Sequence, residues 1–336
     1  MPRLRLAPAP IPPRFAAAAA SVVALAACAP AASAAPVPTT VTAGVPSASC
    51  PNPTFSTVQA ALDAAKPLWT VLVCPGSYTD YLQIAQHDVT LSSVAGADAT
   101  TLTGAGTDPD AQVPTLTVKT NRVTVQNLTI NNDPASLDAI DITNSATVPT
   151  GGATVTANKI AGTVVVMSGA ASIQGNRVVT GRGPSGIAVF DSIFDVSANK
   201  VAYAGDNTGI FLYDATGTAS ANSVSGAVAT RGSGITAAYA PGATIAANRV
   251  SSGKYGIQVM QGATTVSANT VTGSGYGLFT SQGQNATFTG NTVSRSAMFD
   301  CYDTTMGWSN VGTANTWTAN TGSTMTPARL CTAAGV

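Results

Sequence analysis

The sequence predicts an all-β chain wound into a parallel β-helix, a solenoid of stacked coils, and three observations predict it. Only 9% of the 336 residues are charged and 32 are Gly, with Ala, Thr, Ser, Val and Asn making up much of the rest. This composition suits short strands and tight turns. An Asn recurs at 158, 176, 199, 222, 248, 269 and 291, mostly in steps of 18 to 26 residues. Each is preceded by a second landmark, namely Gly186-Ile187, Gly209-Ile210, Gly234-Ile235, Gly256-Ile257 or Gly277-Leu278, with Thr163-Val164 as a weaker copy. The interval from the aliphatic residue to the next Asn is always 12 or 13 residues, whereas that from Asn to the next Gly varies. Constant length marks a structural rung and variable length a loop.

Around each Asn the neighbours repeat as well. Three residues before stand Val155, Ile173, Val196, Ala219, Ile245, Val266 and Phe288, and two after stand Ile160, Val178, Val201, Val224, Val250, Val271 and Val293. Ala or Gly directly precedes every Asn. Such a unit is too short to bury its own apolar side, but stacked copies bury it continuously. Parallel rungs lie about 4.8 Å apart, so roughly ten of them extend about 50 Å. The Asn is expected to occupy the left-handed backbone of a sharp bend and to bond the same amide above and below, forming a structural ladder.

At this point the pattern resembles the pectate-lyase-like family of right-handed parallel β-helix proteins, over residues 54 to 331. The resemblance implies right-handed winding and a short N-terminal capping helix. Phe55-Ser56-Thr57-Val58-Gln59-Ala60-Ala61-Leu62-Asp63-Ala64-Ala65 followed by Val71-Leu72-Val73-Cys74-Pro75-Gly76-Ser77-Tyr78 resembles that cap. Ser56 is the expected helix cap, and Val58, Ala61, Leu62 and Ala65 share one apolar face. Gly312-Thr313-Ala314-Asn315-Thr316-Trp317 and Pro327-Ala328-Arg329-Leu330-Cys331 resemble a terminal segment of the same group, expected to cover the last rung.

The chain divides into a signal segment (1–27), an Ala/Pro/Thr-rich tether (28–50), a β-helix with its N-terminal cap (51–300) and a disulfide-clamped C-terminal cap (301–336). Arg3, Arg5 and Arg14 precede an apolar run from Phe15 to Ala27, too short for a permanent span. Leu25-Ala26-Ala27-Cys28 resembles a bacterial lipobox, which implies export, lipidation of Cys28 and anchoring at the cell-envelope surface. Ordinary secretion after Ala32-Ser33-Ala34 is the alternative. Setting Cys28 aside leaves four of the five cysteines, in two clusters at opposite ends. This suggests Cys50–Cys74 and Cys301–Cys331 disulfides, and no spacing is that of a zinc site. Without the three signal arginines, 12 basic residues face 15 acidic ones, all Asp. A net charge near −3 argues against a nucleic-acid partner.

Chemistry must be sought motif by motif, since this scaffold carries lyases, hydrolases, esterases and binders. Leu137-Asp138-Ala139-Ile140-Asp141-Ile142-Thr143-Asn144-Ser145 resembles the first motif of polygalacturonase-like hydrolases. Gly162-Thr163-Val164 stands where the second carboxylates belong, and the single His87 lies near the cap. Half a pair cannot protonate the leaving group and activate water as well. Phe190-Asp191-Ser192-Ile193-Phe194-Asp195 resembles a pectin methylesterase strand, but the following Gly is absent. Five positions after each landmark Gly, or Thr163, come Ser168, Asp191, Asp214, Tyr239, Gln261 and Gln282. Stacked Asp191 and Asp214 are candidate calcium ligands. With Arg231 or Lys254 from the loops, and Arg182 nearby, they are candidate catalytic residues of a calcium-dependent lyase or epimerase acting on acidic glycans.

The inward positions after the Gly are Val189, Leu212, Ala237 and Val259, so alternate positions point outward. Those outward positions carry Phe190, Phe211, Tyr213, Tyr255, Met260, Tyr276 and Phe279. With Tyr239, Gln261 and Gln282 at the strand ends, they form a candidate polysaccharide-binding face, because flat rings stack on sugars and large apolar patches seldom stay open without a partner. The sequence therefore favours a surface-anchored glycan binder with no complete catalytic set and no certain cofactor. The other two readings are the calcium-dependent enzyme and a purely structural envelope protein.

Overall fold

The computed structural model describes residues 39–106, 113–133, 136–226, 232–251 and 253–333. The signal segment, Cys28 and the first part of the tether lie outside the described residues, as does Arg231. The described residues form a parallel β-solenoid of about 11 turns with three faces per coil. Face 1 holds the Gly-Ile strands, such as Thr208–Tyr213, Ser233–Ala238 and Tyr255–Met260. Face 2 holds the strand before each ladder Asn, such as Thr216–Ser220, Ala243–Ala246 and Thr265–Ser267. Face 3 holds the strand after it, such as Ser223–Gly226, Arg249–Ser251 and Thr270–Thr272. All strands pair in parallel with the next rung, and face 3 is a sheet of 10 strands. Faces 1 and 2 merge into a sheet of 21, because Thr163–Gln174 and Ser185–Ser197 run through both.

The interior follows the alternation of the sequence. Ile187, Ile210, Ile235, Ile257 and Leu278 are fully buried on face 1, and Val155, Ile173, Val196, Ala219, Ile245, Val266 and Phe288 on face 2. Phe288 stacks on Trp317 with ring centroids 4.0 Å apart. The landmark glycines recur for want of space. A Cβ on Gly209, Gly234 or Gly256 would lie 2.3 Å from a Val Cγ1 of face 3, and 2.6–2.7 Å from the next glycine's carbonyl oxygen.

The Asn ladder is present, from Asn158 through Asn176, Asn199, Asn222, Asn248, Asn269 and Asn291 to Asn320. Each Nδ2 donates to the next Oδ1 at 2.8–3.2 Å. The second Nδ2 hydrogen goes to a carbonyl one rung back, as from Asn222 to Val196 O. Every Oδ1 from Asn176 onward also accepts the preceding Asn's backbone N–H. One expectation is corrected. The left-handed residue is not the Asn but its predecessor: Ala157, Ala198, Ala221, Ala247 and Ala268 have φ between 53° and 55°. The small residue takes the bend so that the Asn can keep its amide buried.

The helix Val58–Ala64 packs Val58, Ala61 and Leu62 into the first coil. Its cap is Thr57 rather than Ser56, with the Thr57 hydroxyl accepting from Ala60 N. The strand Thr39–Ala43 pairs in parallel with Trp69–Val73, so residues 39–43 of the expected tether are a strand of the solenoid. Its alternating Val41 and Ala43 are buried against the core. Parallel pairing also continues beyond residue 300, through Phe299–Asp303 and Thr316–Thr318. Asp300 and Asp303 are buried there. Asp300 accepts backbone N–H groups of Ser296, Ser323 and Thr324, and Asp303 accepts from Trp317 Nε1 and Asn315 Nδ2. Both disulfides, Cys50–Cys74 and Cys301–Cys331, are formed.

Candidate functional site

Outward positions on face 1 align in columns fixed by the strand register. Phe190 pairs with Tyr213, Phe211 with Thr236, Tyr255 with Tyr276, Gln258 with Phe279, and Tyr276 with Phe299. The rings do not make one continuous platform. Phe190, Phe211, Tyr213 and Tyr239 form one cluster, with centroids 5.6–6.3 Å apart. Tyr255, Tyr276, Phe279, Phe299 and Tyr302 form a second, at 4.5–6.3 Å. The rung Ser233–Ala238 separates them, because it places Ser233, Thr236 and Ala238 in register with Tyr255, Gln258 and Met260, and carries a ring only at Tyr239, just past its end.

The two clusters differ in what they present. Tyr213 and Tyr239 are 41% and 48% exposed, side by side with centroids 5.6 Å apart. In the second cluster Phe279 is only 9% exposed, roofed by Tyr255, Tyr276 and Tyr302. Its rings largely satisfy one another. Phe299 and Tyr302 escaped the sequence reading because Asp300-Cys301 replaces the Gly-Ile landmark in that rung.

The turn from face 1 to face 2 accounts for the row Ser168, Asp191, Asp214, Tyr239 and Gln261. All five have left-handed backbones, with φ between 44° and 61°. Asp191 and Asp214 occupy adjacent, exposed turns, and no group of three metal-ligating side chains occurs among the described residues. Lys254 lies at the opposite end of its strand from Gln261, seven residues away, or roughly 20 Å along a strand. Its Nζ stands over the Tyr255 ring, 4.9 Å from the centroid. The structure thus brings Lys254 to the second aromatic cluster and leaves the two aspartates on the other edge.

Gln261 and Gln282 do come together, lining a hollow of about 270 Å³ with Gly262 and Gln284. Beside it, Gln284, Asn285, Ser309, Ala314 and Thr316 line a second hollow with Trp308. Trp308 is fully exposed and Met306 is 93% exposed. Neither follows from the sequence, because residues 304–315 carry no part of the repeat and project from a rung as an insertion.

Asp138 and Asp141 share the outer side of the strand Asp138–Ile142, between buried Ala139, Ile140 and Ile142. Burial raises the pKa of both carboxyls. The charge of Asp141 raises Asp138 further, whereas Lys119 pulls Asp141 down. On the next rung the residue in register with Asp138 is Thr163, which offers a hydroxyl and no second carboxylate. His87 is bonded to Asp88 at 2.6 Å and takes no part. A two-carboxylate hydrolytic site is therefore incomplete.

Residues 138–293 match the family described as right handed beta helix region, which covers the span where the rungs are most regular. In fold, the described residues are a right-handed parallel β-helix. Similar solved structures include an alginate lyase from Paenibacillus sp. str. FPU-7, at 17% identity and TM-score 0.47 over 86% of this chain and 96% of that one. The mannuronan C-5 epimerase A-module of Azotobacter vinelandii is 15% identical, with TM-score 0.43 over 83% and 95%. The pectin methylesterase of Erwinia chrysanthemi is 12% identical, with TM-score 0.35 over 90% and 94%. Comparison with curated proteins gives no match.

Proposed function

We propose that this protein is exported, held at the envelope surface by lipid on Cys28, and binds an extended polysaccharide lengthwise along face 1. The observation that carries this reading is the exposed pair Tyr213 and Tyr239, which continues the Phe190–Phe211 cluster across successive rungs. Flat rings exposed in a row suit the apolar faces of sugar rings, while hydroxyl and amide groups around them suit the sugar hydroxyls. Gln261, Gln282, Gln284 and Trp308 extend such a surface along the edge of the same face. Binding, without turnover, is the function these groups support.

A glycan array probed with the secreted, folded chain tests it, with and without calcium because Asp191 and Asp214 sit on adjacent turns. Replacing Tyr213 and Tyr239 together by Ala should weaken binding by about 1–3 kcal/mol while leaving the melting temperature within a few degrees. Unchanged affinity in that variant removes face 1 from the reading. No glycan bound at millimolar concentration leaves a structural role. Mass spectrometry of the mature N-terminus should find acylated Cys28, and an unmodified terminus at Ala35 means free secretion.

A further inference from the structure

Face 3 carries a feature that the aromatic face does not need. The residue directly after each ladder Asn points outward, and in this column stand the exposed Lys159, Arg177, Lys200, Ser223 and Arg249. The pairing puts them in strict register, Lys159 against Arg177, Arg177 against Lys200, Lys200 against Ser223 and Ser223 against Arg249. Four of five consecutive rungs therefore present a cation in one line, about 4.8 Å from rung to rung. Like charges directly opposite on paired strands repel, so neither packing nor strand pairing rewards this arrangement.

Nor does the fold demand it. In the same coils the corresponding outward column of face 2 is Thr154, Ser172, Asp195, Thr218 and Thr244, which holds one carboxylate and no cation. Further along face 3 the same column continues as Thr270 and Thr292. Among the described residues, no strand of face 3 contains an acidic side chain. Lys159 pairs with Asp98, which is itself 86% exposed. Arg177, Lys200 and Arg249 have no ion-pair partner among the described residues. The neighbouring outward column is Ala161, Val179, Ala202, Ser225 and Ser251, short side chains that leave the row accessible from that side. A shallow depression of about 130 Å³ opens between Lys159, Arg177 and Val179.

We infer that face 3 is a second binding surface, for a linear polyanion of the acidic-polysaccharide type, which lies along the row and displaces Asp98 from Lys159. Charge complementarity selects the occupant. A polyuronate carries one carboxylate per sugar, a spacing close to the rung repeat of about 4.8 Å. Guanidinium groups can hold carboxylates through two parallel hydrogen bonds, while the lysines act as point charges. A single file of cations flanked by Ala, Val and Ser matches a chain better than a planar anionic membrane, which would meet a broad basic patch or inserting apolar side chains. Over the whole chain 15 basic and 15 acidic residues balance, so this row is a local feature and not part of a general basic surface.

The test uses the folded chain, polygalacturonate as the probe, a neutral glucan as control and phosphatidylglycerol vesicles as the competing surface. Wild-type binding to polygalacturonate should weaken steeply with salt, with a slope of log K against log salt of about −2 to −3, since three or four cations release counterions. The triple variant R177Q/K200Q/R249Q should lose roughly tenfold or more in affinity and flatten that slope. K200Q alone should give a smaller loss in the same direction, which keeps the test valid should the triple variant fold poorly. The Tyr213/Tyr239 variant should bind polygalacturonate through face 3 as before, so failure of the aromatic-face reading leaves this result intact. Unaltered affinity and salt slope in the triple and single variants overturn the inference. Tighter retention on phosphatidylglycerol vesicles than on polygalacturonate overturns it in favour of a lipid surface.

Discussion

The bend from face 2 to face 3 and the bend from face 1 to face 2 share a backbone device, a single left-handed residue in each coil, and differ in everything attached to it. At the first bend the left-handed residue is Ala or Gly, and the next residue buries an Asn whose amide is bonded on both sides. At the second, Ser168, Asp191, Asp214, Tyr239 and Gln261 take the same conformation themselves. The rung before the ladder separates the two effects. There Asn127 has φ 57° and Leu128 occupies the ladder position, so the bend forms without a buried amide. A recurring residue type therefore reports what the side chain must satisfy in the interior. The backbone bend alone leaves the side chain free to vary, and this freedom is where a surface function can be written.

The largest effect expected from breaking this contrast is at Asn222. Asn222→Ala removes the acceptor for both Asn199 N–H groups and the donors to Val196 O and Asn248 Oδ1. Several buried polar groups are then unsatisfied, which should cost about 3–5 kcal/mol in urea unfolding. A loss below about 1 kcal/mol would show that water replaces the amide.

Next in size is Gly234→Ala, where a Cβ would meet Val250 Cγ1 at 2.3 Å and Gly256 O at 2.6 Å. Overpacking of this kind should cost about 1–3 kcal/mol, read as a drop in melting temperature. It isolates a column dictated by space from columns dictated by bends.

Ala221→Gly and Asp214→Gly sharpen the comparison from the other side. Both relieve a non-glycine left-handed residue at an exposed position, so each should gain about 0.5–1 kcal/mol after the extra chain entropy of glycine is counted. If the two gains differ widely, the bends are not equivalent in backbone terms.

The smallest effect concerns pH. In the early coils the second bend carries Asp88 and Arg122, whose Nε and Nη2 donate to the carboxylate at 2.6 and 2.8 Å. The Arg122 bonds, helped by His87 and opposed by burial, hold Asp88 at a pKa of about 2, below its ordinary 3.8. Since the folded value is depressed, this stabilisation is present above about pH 4 and is lost as pH falls towards 2. The pair is partly exposed, so the loss should be under about 1 kcal/mol. Arg122→Gln should abolish that part of the acid dependence of the urea midpoint.

Much of the fold was legible because interior columns repeat. Val196, Ile245 and Val266 announce their rungs, and Cys50 with Cys74 announces a clamp. The coils before residue 153 were read poorly because they lack the buried amide: Leu128 fills the place where later rungs have Asn. The site was half legible. Outward aromatics follow from alternation, but their division into two clusters depends on Ser233, Thr236 and Ala238 standing in register beside the second cluster's first rung. Trp308 belongs to an insertion outside any period. The cation row was readable as the residue after each Asn, yet net charge conceals it, since charge summed over a chain erases position.

The Asn ladder also has a direction. In all seven links the later residue accepts and the earlier one donates, so eight side-chain amides point the same way along the solenoid. Aligned dipoles polarise one another, which strengthens each bond beyond an isolated one. The row resembles a helix in this respect, with a partial negative pole at Asn158 Oδ1, where Leu128 N–H meets it, and a partial positive pole at Asn320. A substitution midway along it cuts one long dipole into two short ones, whereas a substitution at either end only shortens it. The coils around Asn222 are thus coupled electrostatically to rungs they never touch.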